Sequence, residues 1–269
     1  MNDNYSVAKV IADKKKLYFV DVDEHCKHVK KLVSWFGNES RLLQLAARDH
    51  DIGKKMKLAS SLRDSSDFLE FGNKYIDLMK ERIKRKTDIN FDKKTVLEIV
   101  TTLCNIRGLD KKLKLKEQIN KKYKEDILKI NIAPFSSHAR KLETDLQEKF
   151  SSEREKDREY IYQLIRYHHS FGVQDVIPLA DKFGEQFISD LHCLISADHV
   201  SSAIYSKALI KESFTLGEGG FRIHDNIIDC KVKKEKSNYE VKLNQRNSKQ
   251  APINIKLKYD VFRGGDLTE

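Results

Sequence analysis

Residues 40–54 read SRLLQLAARDHDIGK, an apolar helical pattern that ends on a histidine and an aspartate. The leucines and alanines of this stretch predict a helix over residues 40–50. Another helix is predicted over residues 24–37, because apolar residues recur there at i, i+3, i+4 and i+7. They are Val29, Leu32, Val33 and Phe36. The chain therefore contains two successive amphipathic helices, the second of which ends in His50 and Asp51.

The composition is that of a helix-rich globular protein. Among 269 residues there are only 11 glycines and 3 prolines, and both residue types interrupt helices. Hydrophobic residues make up 39% and charged residues 34%, too polar for a membrane protein and too apolar for a disordered one. We therefore expect a mostly α fold with no membrane partner. The first twenty residues do not have the order of a secretory signal, so a cytoplasmic location is expected.

Alternating patterns flank the helical part of the chain. Further helices are predicted at residues 140–150, 158–169 and 185–207. The last two are expected to be separated by a turn near Pro178. SVAKVIA and KLYFVDV near the start suggest two short strands or an extended arm, and alternation after Leu216 predicts a terminal hairpin or small sheet. The domains expected are residues 1–214, with an insertion at about 60–135, and a small β-rich extension at 215–269.

Several titratable residues fall on the apolar faces of these helices. His25, His168 and Asp198 each lie at helical spacing from apolar residues of their own helix. A buried ionised carboxylate is costly unless it is paired or binds a metal. One such histidine alone is more often a hydrogen-bonded core residue, but several imidazoles and aspartates on successive buried faces indicate a shared cation. The 4 cysteines show no CxxC pair, so the expected ligands are imidazole and carboxylate.

The order of these residues resembles a known superfamily. His25, then His50 and Asp51 within DHDIGK, then Asp198 is similar to the H…HD…D signature of HD phosphohydrolases, and Lys54 matches the lysine of their HDxGK ending. Three further stretches narrow the resemblance to one family within this superfamily: FSSHARKL, LIRYHHSFG and SADHVSSA. With them, the chain resembles the HD nuclease of type I CRISPR systems that is encoded separately from its helicase.

This resemblance implies an HD-domain helical bundle and metal-dependent cleavage of DNA in antiviral defence. Single strands are the implied preference, with duplex DNA or RNA as further substrates. The implied cofactors are one or two divalent ions of Mg, Mn, Ni or Co. Their implied ligands are His25, His50, Asp51 and Asp198 for the first ion, and bridging Asp51, His138, His168 and His169 for the second. Asp51 and Lys54 are the implied catalytic residues. The implied partners are DNA, the helicase and an RNA-guided surveillance complex.

Three points leave an alternative open. His28 lies one turn after His25 and is a substitute ligand on the same helix. Lys54 is expected to face the scissile phosphate, but an exposed lysine at a helix end is an equal interpretation. Two small residues, Ser201 and Ser202, follow Asp198 by three and four positions. They either form hydrogen bonds with the site or allow close packing between helices.

The positive charge is concentrated in one segment. The chain carries a net charge of +10, and residues 74–130 hold 17 Lys and Arg against 9 Asp and Glu, a net +8. A basic helical insertion of this kind is expected to bind phosphates, although a solvated lysine-rich surface is an equal interpretation. The residues expected to contact nucleic acid are Lys111, Lys112, Lys114, Lys121, Lys122 and Lys124.

Two other functions are compatible with the sequence. An HD phosphohydrolase that acts on a small nucleotide needs only the H…HD…D residues and has no use for His138, His168 or His169. A non-catalytic subunit of a CRISPR complex would use the metal site and the basic face for structure and docking alone.

Overall fold

The computed structural model describes residues 5–13, 15–37, 39–105, 117, 123, 125–135, 143–169, 173–210, 220–223, 226–235, 238–246 and 248–268. The helices are α1 (Val22–Trp35), α2 (Arg41–Asp49), α3 (Ile52–Met56), α4 (Ser60–Arg63), α5 (Phe68–Thr87), α6 (Lys93–Asn105), α7 (Glu143–Lys149), α8 (Glu155–Tyr167), α9 (Val173–Phe183) and α10 (Glu185–Ile210). The strands are β1 (Val7–Asp13), β2 (Lys16–Asp21), β3 (Gly220–Ile223), β4 (Asn226–Glu235), β5 (Asn238–Gln245), β6 (Ile253–Leu257) and β7 (Asp260–Arg263). The prediction of a mostly α fold with a small sheet near the C-terminus is confirmed.

The chain divides into two compact units that alternate along the sequence. The first unit comprises Met1–Asp21, Leu58–Ser136 and Tyr259–Glu269, and the second comprises Val22–Lys57 and Ser137–Lys258. This division differs from the expected domains, which were residues 1–214 with an insertion at about 60–135 and residues 215–269. Those domain boundaries stay a prediction. Within the described part of the chain, no helix combines the length and the apolar character needed to cross a bilayer.

The first unit is a three-stranded antiparallel sheet with helices α4, α5 and α6. Its strand order is β1-β2-β7, and Phe19 of β2 pairs with Asp260 of β7. The two strands expected near the N-terminus are confirmed, but β7 does not join the C-terminal sheet. The core of this unit is rich in aromatic side chains, namely Phe19, Phe71, Tyr75 and Phe262. The final residues of the chain therefore complete the N-terminal sheet.

Gly72 of α5 lies against the Phe262 ring of β7. A Cβ atom at this position would lie 2.2 Å from Cδ2 of the buried Phe262 ring. We expect Gly72→Ala to lower the free energy of unfolding by about 2 kcal/mol, because the clash outweighs the gain in helix propensity. Urea denaturation of the variant measures the effect. Gly265→Ala is the matched control, since a Cβ at Gly265 meets no atom within 4 Å.

The second unit contains the helices that carry the candidate ligands. α1 packs on α2 and on α10, and α2 packs on α8. Ser40 caps α2 by accepting a 3.3 Å hydrogen bond from the Leu43 amide, which explains why the helix begins where it does. The turn predicted near Pro178 is wrong, because Pro178 lies inside α9. The chain turns instead at Gly184, whose φ of 87° is in the left-handed region that glycine tolerates.

The second unit also contains a four-stranded antiparallel sheet of order β3-β4-β5-β6. β4 and β5 form a long hairpin in which Val232 pairs with Val241. Alternate residues of β6 are buried, as the alternating sequence predicts: Ile253, Ile255 and Leu257.

Candidate metal centre

Four parts of the second unit bring histidine and aspartate side chains together in its interior. His25 comes from α1, and Asp198 comes from the middle of α10. His50 and Asp51 occupy the junction between α2 and α3, while His168 directly follows α8. All of these side chains are buried. The helix order therefore gathers residues that are far apart in sequence.

The first donor group consists of His25, His50 and Asp51. His25 Nε2 lies 3.4 Å from Asp51 Oδ2 and 3.4 Å from His50 Nε2. His50 Nε2 lies 3.6 Å from the same Asp51 oxygen. Asp198 is adjacent to this group, with Oδ1 2.9 Å from His25 Nε2 and 3.9 Å from His50 Nε2. The four ligands expected for the first ion therefore lie together.

The second donor group consists of Asp51, His168 and His169. His168 Nε2 lies 3.7 Å from Asp51 Oδ1, the carboxylate oxygen that does not face His25. His169 Nδ1 lies 3.8 Å from Asp198 Oδ2, and its ring centroid is 3.8 Å from that of His168. The His169 side chain is 37% exposed, in contrast to the buried ligands around it. His169 therefore marks the side of the centre that solvent reaches.

The outer nitrogens of two imidazoles contact backbone carbonyl oxygens. His50 Nδ1 lies 2.9 Å from the Ala47 carbonyl, and His168 Nδ1 lies 2.5 Å from the Ile165 carbonyl. Since a carbonyl only accepts, both Nδ1 atoms carry the proton and donate it. In a ring with this tautomer, Nε2 carries the lone pair, and both Nε2 atoms lie within 3.7 Å of an Asp51 oxygen. Such outer contacts orient histidine ligands in metal sites.

His25 is oriented in a similar way by a side chain. Its Nδ1 lies 3.0 Å from the Ser201 hydroxyl on α10. Ser202, the next residue, donates a 2.7 Å hydrogen bond to the Asp198 carbonyl. Of the two interpretations that the sequence left open for these serines, the structure supports hydrogen bonding at the site for Ser201, whereas the shortest hydrogen bond of Ser202 is to the backbone of its own helix.

These residues have the chemistry of a metal site. In each donor group, one ligand atom per residue lies within 4.8 Å of the others. Ligands bound at about 2.0–2.2 Å around one ion lie about 3 Å apart, so small movements suffice to bring these atoms to one cation. Two buried carboxylates beside neutral imidazoles also favour a positive charge between them. The buried side chains of His25, His50, Asp51 and His168 can hold a metal ion.

Burial keeps the neighbouring groups in the protonation states that ligation requires. It lowers the pKa of His50, so this imidazole stays neutral and its Nε2 lone pair remains available. Burial raises the pKa of the Cys26 thiol well above its ordinary value, although Cys26 Sγ lies only 3.7 Å from His50 Nδ1. A protonated thiol is a poor ligand, so imidazole and carboxylate remain the relevant donors.

Lys54 is part of this centre. Its side chain is only 6% exposed, and its ammonium lies 2.5 Å from Asp51 Oδ2. The interpretation of Lys54 as an exposed helix-end lysine is therefore wrong. A carboxylate oxygen has two lone pairs, so Oδ2 can accept the Lys54 hydrogen bond and still serve as a ligand.

His28 is not placed with the ligands, although it lies one turn from His25. Its ring nitrogens contact the Tyr205 hydroxyl and the Lys256 carbonyl.

Of the other histidines, His192 is half-buried and His199 is exposed. His138 and His224 lie outside the described residues, as do the predicted nucleic-acid contacts Lys111, Lys112, Lys114, Lys121, Lys122 and Lys124.

The Ala47 and Ile165 carbonyls were not anticipated from the sequence. Each lies three residues before its histidine, in the last turn of a helix, where carbonyls lack an intrahelical donor. A histidine placed directly at a predicted helix end is the signal that would have indicated both contacts.

Comparison with known proteins adds no relative. Scans of protein-family models, of curated proteins and of solved structures each find no match. The function is therefore inferred from the histidine and aspartate residues of the centre and from their geometry.

Proposed function

We propose that this protein is a metal-dependent nuclease that cleaves DNA phosphodiester bonds. The observation that carries the proposal is the division of the Asp51 carboxylate between two sets of histidines. Oδ2 faces His25 and His50, whereas Oδ1 faces His168. One carboxylate with ligands on both sides is suited to bridge two ions, and paired ions are used by many enzymes that hydrolyse phosphodiesters.

The first ion would be held by His25, His50, Asp51 and Asp198, and the second by Asp51, His168 and His169. Mg, Mn, Ni and Co are the candidates, since each accepts nitrogen and oxygen ligands. When bound, the ions supply a nucleophile from water at neutral pH and stabilise the leaving oxygen. Lys54 places a positive charge beside Asp51 that offsets the negative charge developing on the phosphate. The exposed His169 is where the scissile phosphate would approach.

The proposed substrate is DNA, preferentially single-stranded, with duplex DNA or RNA as further candidates. The basic segment of residues 74–130 supports a polyanionic substrate. In its described part, Lys74 and Lys93 pair with Glu70 and Asp77, whereas the side chains of Lys84 and Lys86 are exposed. Exposed lysines attract phosphates at long range and make binding sensitive to salt. The helicase and the RNA-guided surveillance complex are proposed partners because the sequence resembles the HD nuclease of type I CRISPR systems.

Incubation with circular single-stranded DNA tests this function. We expect the purified protein to open the circle with Mg, Mn or Ni and to leave it intact with EDTA. Cleavage of a circle requires an endonuclease, so an exonuclease contaminant cannot produce the result. Linear duplex DNA and a nucleoside triphosphate are assayed in parallel. Turnover of the nucleotide alone would favour the small-nucleotide phosphohydrolase, and no turnover of any substrate would favour the non-catalytic subunit.

Charge reversal in the insertion is expected to weaken DNA binding. Changing Lys111, Lys112 and Lys114 to Glu removes phosphate contacts and introduces repulsion, so the dissociation constant should rise at least about tenfold at 0.1 M salt. Fluorescence anisotropy with a labelled single strand measures this change. The matched control reverses the same charge in the C-terminal sheet, at the exposed Lys231, Lys233 and Lys234. Equal losses in both triple variants would contradict a specific DNA-binding role for the insertion.

A further inference from the structure

Helices α1 and α10 are joined by two successive contacts between a histidine and a hydroxyl. His25 Nδ1 lies 3.0 Å from the Ser201 hydroxyl. One turn further along both helices, His28 Nδ1 lies 3.0 Å from the Tyr205 hydroxyl. Both histidines are buried. The first contact orients a proposed ligand, and the second lies one helical turn away from it.

The second contact continues into the C-terminal sheet. His28 Nε2 lies 3.1 Å from the Lys256 carbonyl of β6. Further along α1, Lys31 Nζ donates a 2.7 Å hydrogen bond to the Asn254 carbonyl, and Trp35 Nε1 donates a 2.9 Å bond to the Ala251 carbonyl. Alternate residues of a strand direct their carbonyls to the same side, so Asn254 and Lys256 both face away from β5. Side chains of α1 therefore cover the edge of β6.

The direction of these hydrogen bonds follows from the chemistry of the groups. The Lys256 carbonyl can only accept, so His28 Nε2 carries the proton. His28 Nδ1 then accepts from the Tyr205 hydroxyl. Burial lowers the pKa of His28 to about 4, which keeps the ring neutral and this arrangement intact at neutral pH. A neutral imidazole thus connects α10, α1 and β6 through one fixed tautomer.

We infer that the C-terminal sheet is a positioning element of the metal centre and that it acts through the positioning residue His28. The inference rests on the metal centre proposed above. His25 and His28 are fixed on the same rigid helix, so the contacts of β6 and Tyr205 with His28 determine how far α1 can slide or rotate. His25 Nε2 lies 2.9 Å from Asp198 Oδ1, and a small displacement of α1 would misplace this ligand.

Metal binding by the full chain tests this role without an activity assay. His28→Ala is expected to weaken Mn²⁺ affinity about tenfold in titration calorimetry, in the range seen when outer contacts of metal ligands are removed. It should also shift the visible absorption bands of the Co²⁺-loaded protein. His28→Gln should recover much of the affinity, because its amide can donate to the Lys256 carbonyl. Tyr205→Phe removes only the hydroxyl and should weaken Mn²⁺ binding in the same direction.

The control is Lys30→Ala, a change on the exposed face of α1, which should leave Mn²⁺ affinity and the Co²⁺ spectrum unchanged. If His28→Ala does not fold, Tyr205→Phe decides the question. Variants that melt at lower temperature but keep wild-type affinity and an unchanged Co²⁺ spectrum would overturn the inference and leave the sheet a purely structural role. A wild-type chain that binds no Mn²⁺ or Co²⁺ would instead remove the metal centre itself, and the inference with it.

Discussion

Replacement of Asp51 by alanine is expected to reduce metal-dependent DNA cleavage at least about a thousandfold, which corresponds to roughly 4 kcal/mol of transition-state stabilisation. Asp51 contributes an oxygen to both donor groups, so its loss affects both proposed ions at once. The rate of opening of circular single-stranded DNA measures the effect, with Mn²⁺ binding measured on the same sample.

The alanine variant also leaves the buried Lys54 ammonium without its carboxylate neighbour, and breaking a buried pair of this kind costs about 3–5 kcal/mol. Asp51→Asn keeps the shape and one acceptor oxygen, so it separates the loss of metal from the loss of fold. Asp49→Asn is the matched control. Asp49 is also buried, at the end of α2, but its carboxylate pairs with Lys149 and Arg48. Cleavage that persists in a folded Asp51→Asn protein would count against the proposed role of Asp51.

His168→Ala is expected to reduce DNA cleavage at least about a hundredfold while the first ion stays bound. His168 Nε2 lies 3.7 Å from Asp51 Oδ1, the oxygen that belongs to the second donor group. The protein should then bind one Mn²⁺ where the wild type binds two. His199→Ala, which changes an exposed histidine next to Asp198, is the control and should retain activity.

This variant also separates the two enzymatic hypotheses. A phosphohydrolase that uses only His25, His50, Asp51 and Asp198 has no need of His168. Undiminished turnover by His168→Ala, on DNA or on a nucleotide, would therefore contradict the nuclease with two ions. The proximity of His168 and His169 to Asp51 is the structural reason to expect the opposite result.

The sequence predicted those parts of the fold that depend on local periodicity. Apolar spacing placed α1, α2 and α10 within a few residues of their ends, because an amphipathic helix carries its own signal. Pairing of β7 with β2 joins residues more than 240 positions apart, and no local pattern encodes that distance. For the same reason, the alternation of the two compact units along the chain could not be read from composition.

The candidate site was predictable to a similar extent. The buried faces of the helices indicated His25, His168 and Asp198, and the family resemblance supplied their grouping. What separates His25 from His28 is the set of neighbours that each meets. The His25 ring contacts Asp198 and Ser201. The His28 ring contacts the Tyr205 hydroxyl and the Lys256 carbonyl. Both histidines are buried on one helix, so only the packing of α10 and β6 distinguishes a ligand from a positioning residue.

The number of Mn²⁺ ions bound per chain is the decisive measurement for a centre of two ions around Asp51. Equilibrium titration followed by electron paramagnetic resonance counts the ions and reports whether they are magnetically coupled through a shared ligand. The geometry of Asp51 predicts two coupled ions in the wild type, one in His168→Ala and loss of coupling in Asp51→Asn. A wild-type chain that binds no Mn²⁺, or Mn²⁺ binding that Asp51→Asn leaves unchanged, would show that Asp51 is not at the centre of a metal site.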